Sequence, residues 1–340
     1  MTRFAPPARV GWGTRLSGHL WTLAPLVRRA DPSPPSVRWQ TSVEDPQAGP
    51  VRLTGRWSEV PGAEEAVVLV HGIAGSHDAV YMRRGAAAAV AAGISCLRIN
   101  LRGADRSGED YYHAGLTADL AAAVASPELA PSRRLFLLGY SLGGHVALRL
   151  ATEAPDERIA AVAAICSPVD LALGQRMIDS RRATPYRRHV LRGLRQIYAP
   201  VAARRADLVP VSVETARRIR TMREWDHRVV APRHGFASAE DYYRQVSVAR
   251  RLDDLAVPAL LVRSDADPMI PAAGLVAALA GVEAPRLTVQ WVTGGHLGFP
   301  RKLVVGSEAV PGLDPWVLAW LRRAGGEGPR PLSAAPPPAR

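Results

Sequence analysis

The apolar positions of this chain follow two rhythms that alternate along its length. Strand-like segments lie at 94–101, 259–263 and 287–292, and short continuous apolar runs at 67–70 (Val-Val-Leu-Val), 135–138 (Leu-Phe-Leu-Leu) and 159–165. Such runs predict strands buried on both faces, because no position is left for a solvated side. Between them, apolar residues recur at three- and four-residue spacing at 79–92, 117–125, 142–154, 272–280 and 315–323, which predicts helices packed by one face. The alternation predicts an α/β class, with a mostly parallel, twisted sheet covered by helices on both faces. Ahead of it, 37–43 and 51–57 read as two strands of an opening hairpin.

One stretch breaks the rhythm. Residues 170–243 contain no buried-strand run, but Val190, Leu191, Leu194, Ile197, Tyr198 and Val201 fall at helical spacing, and Ala216, Ile219 and Met222 repeat the pattern. A helical cap inserted between two sheet strands is the expectation. The chain then divides into an N-terminal extension (1–36, with a loose start at 1–15 and a Pro-rich joint at 31–36), a core (37–169 and 244–324), the cap (170–243) and a Gly-, Pro- and Ala-rich disordered tail (325–340).

Composition narrows the function classes. The formal net charge is +12, almost all from arginine, and Lys302 is the only lysine. The arginines are scattered, with no aromatic-interleaved patch, which argues against nucleic acid as a partner. Those of the cap (Arg181, Arg182, Arg187, Arg188, Arg204, Arg205, Arg217, Arg218) are expected on a solvated outer face. The sharper alternative is peripheral contact with an anionic membrane surface. Cys96 and Cys166 lie inside apolar strand-like runs and are expected as buried thiols in a reducing, cytoplasmic compartment. No apolar stretch reaches the ~20 residues of a membrane span. Residues 16–27 are interrupted by His19, Trp21 and Thr22 and lack a cleavage pattern, so no signal peptide is expected. No phosphate loop, dinucleotide fingerprint or metal-ligand spacing is present, so neither cofactor nor metal is expected.

The chemistry centres on Gly-Tyr-Ser-Leu-Gly-Gly at 139–144, directly after the run 135–138. Strand, Gly-x-Ser-x-Gly and helix in succession form a nucleophile elbow, which projects Ser141 from the end of a sheet. A serine hydroxyl needs a base, and the base an orienting acid, in the chain order serine, acid, histidine. His296, between glycines in the loop after 287–292, is the candidate base; His71 reads as structural within its own loop. Asp267, in Ser-Asp-Ala-Asp-Pro-Met-Ile-Pro at 264–271, is the favoured acid, with Asp265 and Asp170 as competitors. Backbone N–H groups of Leu142 and of Ile73, in the loop His-Gly-Ile-Ala-Gly-Ser at 71–76, are the candidate oxyanion donors.

Several further blocks carry a family resemblance: Gly-His-Leu-Trp-Thr-Leu-Ala-Pro at 18–25, Arg-Ile-Asn-Leu-Arg-Gly at 98–103, Tyr-His-Ala-Gly-Leu-Thr-Ala-Asp-Leu at 112–120 and Ala-Pro-Arg-His-Gly-Phe-Ala-Ser-Ala-Glu-Asp-Tyr-Tyr at 231–243. With the elbow and Gly-Gly-His-Leu-Gly at 294–298, they resemble the YheT-like branch of the α/β-hydrolases, also called AB hydrolase 4. The resemblance implies an α/β-hydrolase fold and a charge relay of Ser141, Asp267 and His296. It also implies a serine esterase acting on short- to medium-chain acyl esters or acylglycerols. The alternatives it leaves are an acyltransferase using an alcohol acceptor, or a non-catalytic binding module on the same fold. The chain departs from the family where Glu-Asp-Pro-Gln stands at 44–47 in place of an Asp-Gly-Asp stretch.

Overall fold

In the computed structural model, an eight-stranded sheet organises the chain; residues 4, 12–27, 33–153, 155–305 and 310–326 are described. The strands are β1 (Val37–Asp45), β2 (Gly49–Ser58), β3 (Glu65–Val70), β4 (Ser95–Ile99), β5 (Arg134–Tyr140), β6 (Ile159–Ile165), β7 (Ala259–Ser264) and β8 (Leu287–Val292). Their spatial order is β1-β2-β4-β3-β5-β6-β7-β8. The β1–β2 hairpin and the β2–β4 pair are antiparallel, and every other pairing is parallel.

The continuous apolar runs are explained by two cores. In β3, Val68 and Val70 join the core on one side of the sheet while Val67 and Leu69 join the other; in β5, Leu135 and Leu137 oppose Phe136 and Leu138. A pleat with period two has no wet face when both sides are packed. The helices are α1 (Trp12–Val27), α2 (Val80–Ala91), α3 (Thr117–Val124), α4 (Leu142–Ala151), α5 (Leu171–Ile178), α6 (Thr184–Arg204), α7 (Val213–Arg218), α8 (Met222–Trp225), α9 (Ala231–Arg233), α10 (Ala239–Val246), α11 (Ala272–Ala278) and α12 (Leu313–Gly325). No described helix is long and apolar enough to cross a membrane.

Helices α5 to α10 form the insertion between β6 and β7. Two sequence expectations change here. The apolar positions Ala216, Ile219 and Met222 do not share one helix: α7 stops at Arg218, and Ile219 turns to φ −58°, ψ 131°. Arg195 holds that break by donating to the Ala216 and Ile219 carbonyls, at 3.2 and 2.5 Å. The cap boundary drawn at 243 falls inside α10, which continues to Val246. At the other end of the chain, residues 12–15, read as loose, belong to α1. The rest of the loose start apart from Phe4, the first part of the Pro-rich joint and the tail beyond 326 lie outside the described residues.

A buried ionic network ties the insertion to the core. Arg102 pairs with Asp45, Asp110 and Asp119 at 2.5, 2.9 and 2.6 Å, and Arg233 of α9 pairs with Asp110 and Asp45 at 2.5 and 3.3 Å. Gln47 accepts from Arg233 at 2.7 Å. Thus Asp45 and Gln47, in the segment that departs from the family pattern, both serve this network.

Candidate active site

β5 ends at Tyr140 and α4 begins at Leu142, so Ser141 alone makes the turn between them. Its φ of 51° and ψ of −120° lie where side-chain-bearing residues are rare, so the turn stores backbone strain. The turn closes because the flanking positions lack Cβ atoms. One at Gly139 would lie 2.3 Å from the Gly143 carbonyl, and one at Gly143 would lie 2.3 Å from the Val70 carbonyl. Behind the turn, Ser141 N–H donates to Ile165 O at 2.8 Å.

His296 sits on the loop after β8, in a turn closed by Gly295 N–H donating to Gly298 O at 2.8 Å. Its Nε2 lies 3.1 Å from Ser141 Oγ, and its Nδ1 lies 2.8 Å from Asp267 Oδ2. Asp267 is fixed in turn: Oδ1 accepts the Met269 and Ile270 N–H groups at 2.8 and 2.9 Å, leaving Oδ2 for the ring. Facing a carboxylate, Nδ1 carries the proton, so Nε2 presents its lone pair to the serine hydroxyl. Burial alone would raise the Asp267 carboxyl; the adjacent His296, its hydrogen bond and Arg263 outweigh burial and hold the carboxyl below its ordinary range.

The other candidate acids are engaged elsewhere. Asp265 meets Thr293 Oγ1 at 3.4 Å, and Asp170 caps α5 by accepting Leu173 N–H at 2.8 Å. Sequence reasoning passed over Arg263, which is fully buried on β7 and donates to Ser167 O at 3.1 Å and to Ile270 O. It pins the Asp267 loop from behind; its signal was a lone charge within an apolar strand run.

In the loop after β3, Gly72 N–H donates to Tyr81 Oη at 3.1 Å and Ala74 N–H to Tyr112 Oη at 2.6 Å. Among the described residues the intervening Ile73 N–H has no acceptor. His71 braces this loop. Its Nδ1 faces Gly72 O at 2.7 Å, its Nε2 accepts Leu101 N–H at 3.0 Å, and burial pulls its pKa down to about 4. His145 points away from the elbow tip, with its two nitrogens 2.8 Å from Pro168 O and 3.0 Å from Val246 O.

Ser141 lies where two spaces meet. On one side is a chamber of about 110 Å³ under the insertion, walled by Ile73, Leu142, Leu171, Ile178, Trp225 and Val230. Asp226 also lines it, in a π-helical turn at Asp226–Val230. Tyr243 Oη donates to Asp226 Oδ2 at 2.7 Å, and burial raises this carboxyl to about 7 despite that bond. Nothing in the sequence marked Asp226, because the neighbouring charges of Glu224, His227 and Arg228 suggest a solvated turn. On the other side a mouth of about 780 Å³ opens to solvent, lined by Thr22, Leu23, Tyr186, His189, Val190 and His296 among others. The opposite side of α6 lines a separate groove of about 850 Å³ that carries Arg187, Arg188, Arg192, Arg195, Arg217 and Arg220.

Cys166, Asp267 and His296 bring potential metal-ligating atoms within 4.8 Å of one another. Asp267 and His296 are directed at each other, and burial pushes the Cys166 thiol up to about 12, keeping it protonated. This donor set suits a hydrogen-bond relay better than a cation.

Comparison with known proteins agrees with this architecture. Residues 65–302 match the family model described as the alpha/beta hydrolase fold. YheT of Escherichia coli (strain K12), an esterase by name, is 31% identical over 298 residues, covering 83% of this chain and 84% of that protein. Monoacylglycerol lipase ABHD2 of Danio rerio is 23% identical over 333 residues, covering 91% of this chain and 77% of its own. Among solved structures, the Pyrococcus furiosus esterase Pf2001 shares the fold at 15% identity, with a TM-score of 0.51 over 95% of this chain and 97% of that one. With its strand order and the sharp strand-to-helix turn at Ser141 in place, the chain belongs to the α/β-hydrolase fold family, in its YheT-like branch.

Proposed function

We propose that this chain is a serine esterase that cleaves short- to medium-chain acyl esters or acylglycerols through an acyl-enzyme. The carrying observation is the continuous hydrogen-bonded line from Ser141 Oγ through His296 to Asp267, at the junction of an apolar chamber and an open mouth. In this reading His296 Nε2 takes the Ser141 proton as Oγ attacks the ester carbonyl. Asp267 holds the ring's orientation and balances its charge. The N–H groups of Ile73 and Leu142 receive the oxyanion, each contributing on the order of 3 kcal/mol to the transition state. His296 returns the proton to the departing alcohol. Water then enters through the mouth, gives its proton to Nε2 and attacks the acyl carbon; collapse of the second tetrahedral intermediate releases the acid and restores Ser141.

The chamber supports a short acyl chain. Its volume of about 110 Å³ is of the order of the ~150 Å³ apolar cavity that holds benzene. The ester and lipase names of the relatives support the same bond type. The arginine groove takes no part in the chemistry and serves as a positive outer face that an anionic lipid surface would meet. The two buried free thiols suit a cytoplasmic setting. A fluorophosphonate probe should label the wild-type protein and leave Ser141→Ala unlabelled. Equal labelling of both would overturn the assignment.

A further inference from the structure

The block at 18–25 supplies no reacting group to the chemistry above, and it lies outside the 65–302 family match. Its side chains nevertheless reach the relay. Thr22 Oγ1 accepts the main-chain N–H of His296 at 2.8 Å and donates its own proton to Gly18 O at 2.7 Å. That second bond fixes the hydroxyl rotor, so a lone pair points at the histidine's backbone. The fit between α1 and the relay loops is close. A Cβ at Gly18 would lie 2.0 Å from Ala266 O, next to Asp267, and one at Gly295 would lie 2.3 Å from Gly18 O and 2.5 Å from Thr22 Oγ1. At its other side, His19 stacks on Tyr186 of α6, with ring centroids 5.8 Å apart and Nδ1 2.7 Å from the Tyr186 hydroxyl. One helix therefore touches the acid loop, the base loop and the insertion.

We propose that α1 is a strap that sets the position of the His296 imidazole, with Thr22 as the positioning residue. The proposal rests on the reading of Ser141 and His296 given above. The His296 N–H anchors the start of its side chain, and Nε2 at the ring's far end lies 3.1 Å from Ser141 Oγ. A shift of the loop there changes the angle at which Nε2 meets Ser141, and misplacement of about 1 Å costs on the order of 100-fold in rate. The effect falls on kcat, because the Thr22 hydroxyl, at the mouth and outside the acyl chamber, is taken up by the His296 N–H and the Gly18 carbonyl.

The test compares Thr22→Val, which keeps the shape and removes the acceptor, with Thr22→Ser, which keeps the hydroxyl. With a p-nitrophenyl ester, Thr22→Val should lose roughly 10- to 100-fold in kcat with KM little changed, and its fluorophosphonate labelling should slow in step. Thr22→Ser should restore most of the rate. Gly18→Ala, whose methyl meets Ala266 O, should reproduce the kcat loss with Thr22 intact, and it decides the matter if Thr22→Val does not fold. Full kcat in folded Thr22→Val or in folded Gly18→Ala would overturn the strap, as would a Thr22→Ser rate as low as that of Thr22→Val. Ser141→Ala in the same assay separates the two readings: activity surviving there sinks the relay itself, whereas activity lost there but kept in Thr22→Val sinks only the strap.

Discussion

Asp226 offers a quantitative check on the chamber. The residue is 9% exposed, and its carboxyl receives one hydrogen bond from Tyr243 and is raised to about 7, against an ordinary value of 3.8. Burial is the main cause, and the charge of Asp179 adds to it. The folded state therefore binds more protons than the unfolded state between these two values, so this group makes stability fall as pH rises from about 4 to about 7. Above 7 its contribution is constant. The separation of about 3 pH units corresponds to roughly 4 kcal/mol, an upper bound because the carboxyl borders a cavity that water can enter. Asp226→Asn keeps an oxygen for Tyr243 and removes the ionisation. The variant should match the wild type near pH 4 and exceed it by about 2–4 kcal/mol at pH 8. Urea unfolding of both proteins at several pH values, with the difference plotted, isolates this one residue. A difference that does not change with pH would refute the reasoning, since it would mean that the carboxylate is solvated when folded.

Asp267→Asn should lower kcat by about 10⁴-fold at unchanged fold, because the amide favours the wrong imidazole tautomer, while Asp265→Asn should stay close to wild type; steady-state hydrolysis of a p-nitrophenyl ester reads both. Along a series of p-nitrophenyl esters from acetate to decanoate, kcat/KM should fall steeply beyond the medium chains, and Ile178→Ala, which enlarges the chamber wall, should move the fall to longer chains. Arg233→Met leaves buried Asp110 and Asp45 short of a partner and should cost about 3–5 kcal/mol in chemical denaturation. In excess ethanol the product should remain mainly free acid, measured by gas chromatography; a majority of ethyl ester would make the chain a transferase.

The sheet was legible because strands packed on both sides need apolar residues at every position, as at 67–70 and 135–138. The placing of Ser141, Asp267 and His296 in loops just after β5, β7 and β8 was legible too, although β8 mixes Thr288 and Gln290 with its apolar residues. What escaped was whatever depends on partners distant in sequence. Helix α1 has a broken apolar pattern, and its contacts are made through Gly18 and Thr22 to loops some 250 residues away. Arg98, Arg102 and Arg263 look like surface charges in a chain rich in arginine, yet all three are buried to within 2%. The end of α7 at Arg218 and the burial of Asp226 likewise follow from tertiary neighbours, not from local spacing.

The Arg102–Arg233 network bears on how such proteins can be recombined. Two guanidinium groups face three carboxylates there, and they come from the β1 turn, the loop after β4, α3 and α9. The insertion is thus not a detachable module bounded by its two chain crossings. A graft of residues 170–246 from a relative would have to arrive with a guanidinium at the place of Arg233, or be accompanied by changes at Asp45, Gln47 and Asp110. Chimeras that respect this five-residue unit should fold, and those that cut through it should come out insoluble even when every helix in them is sound.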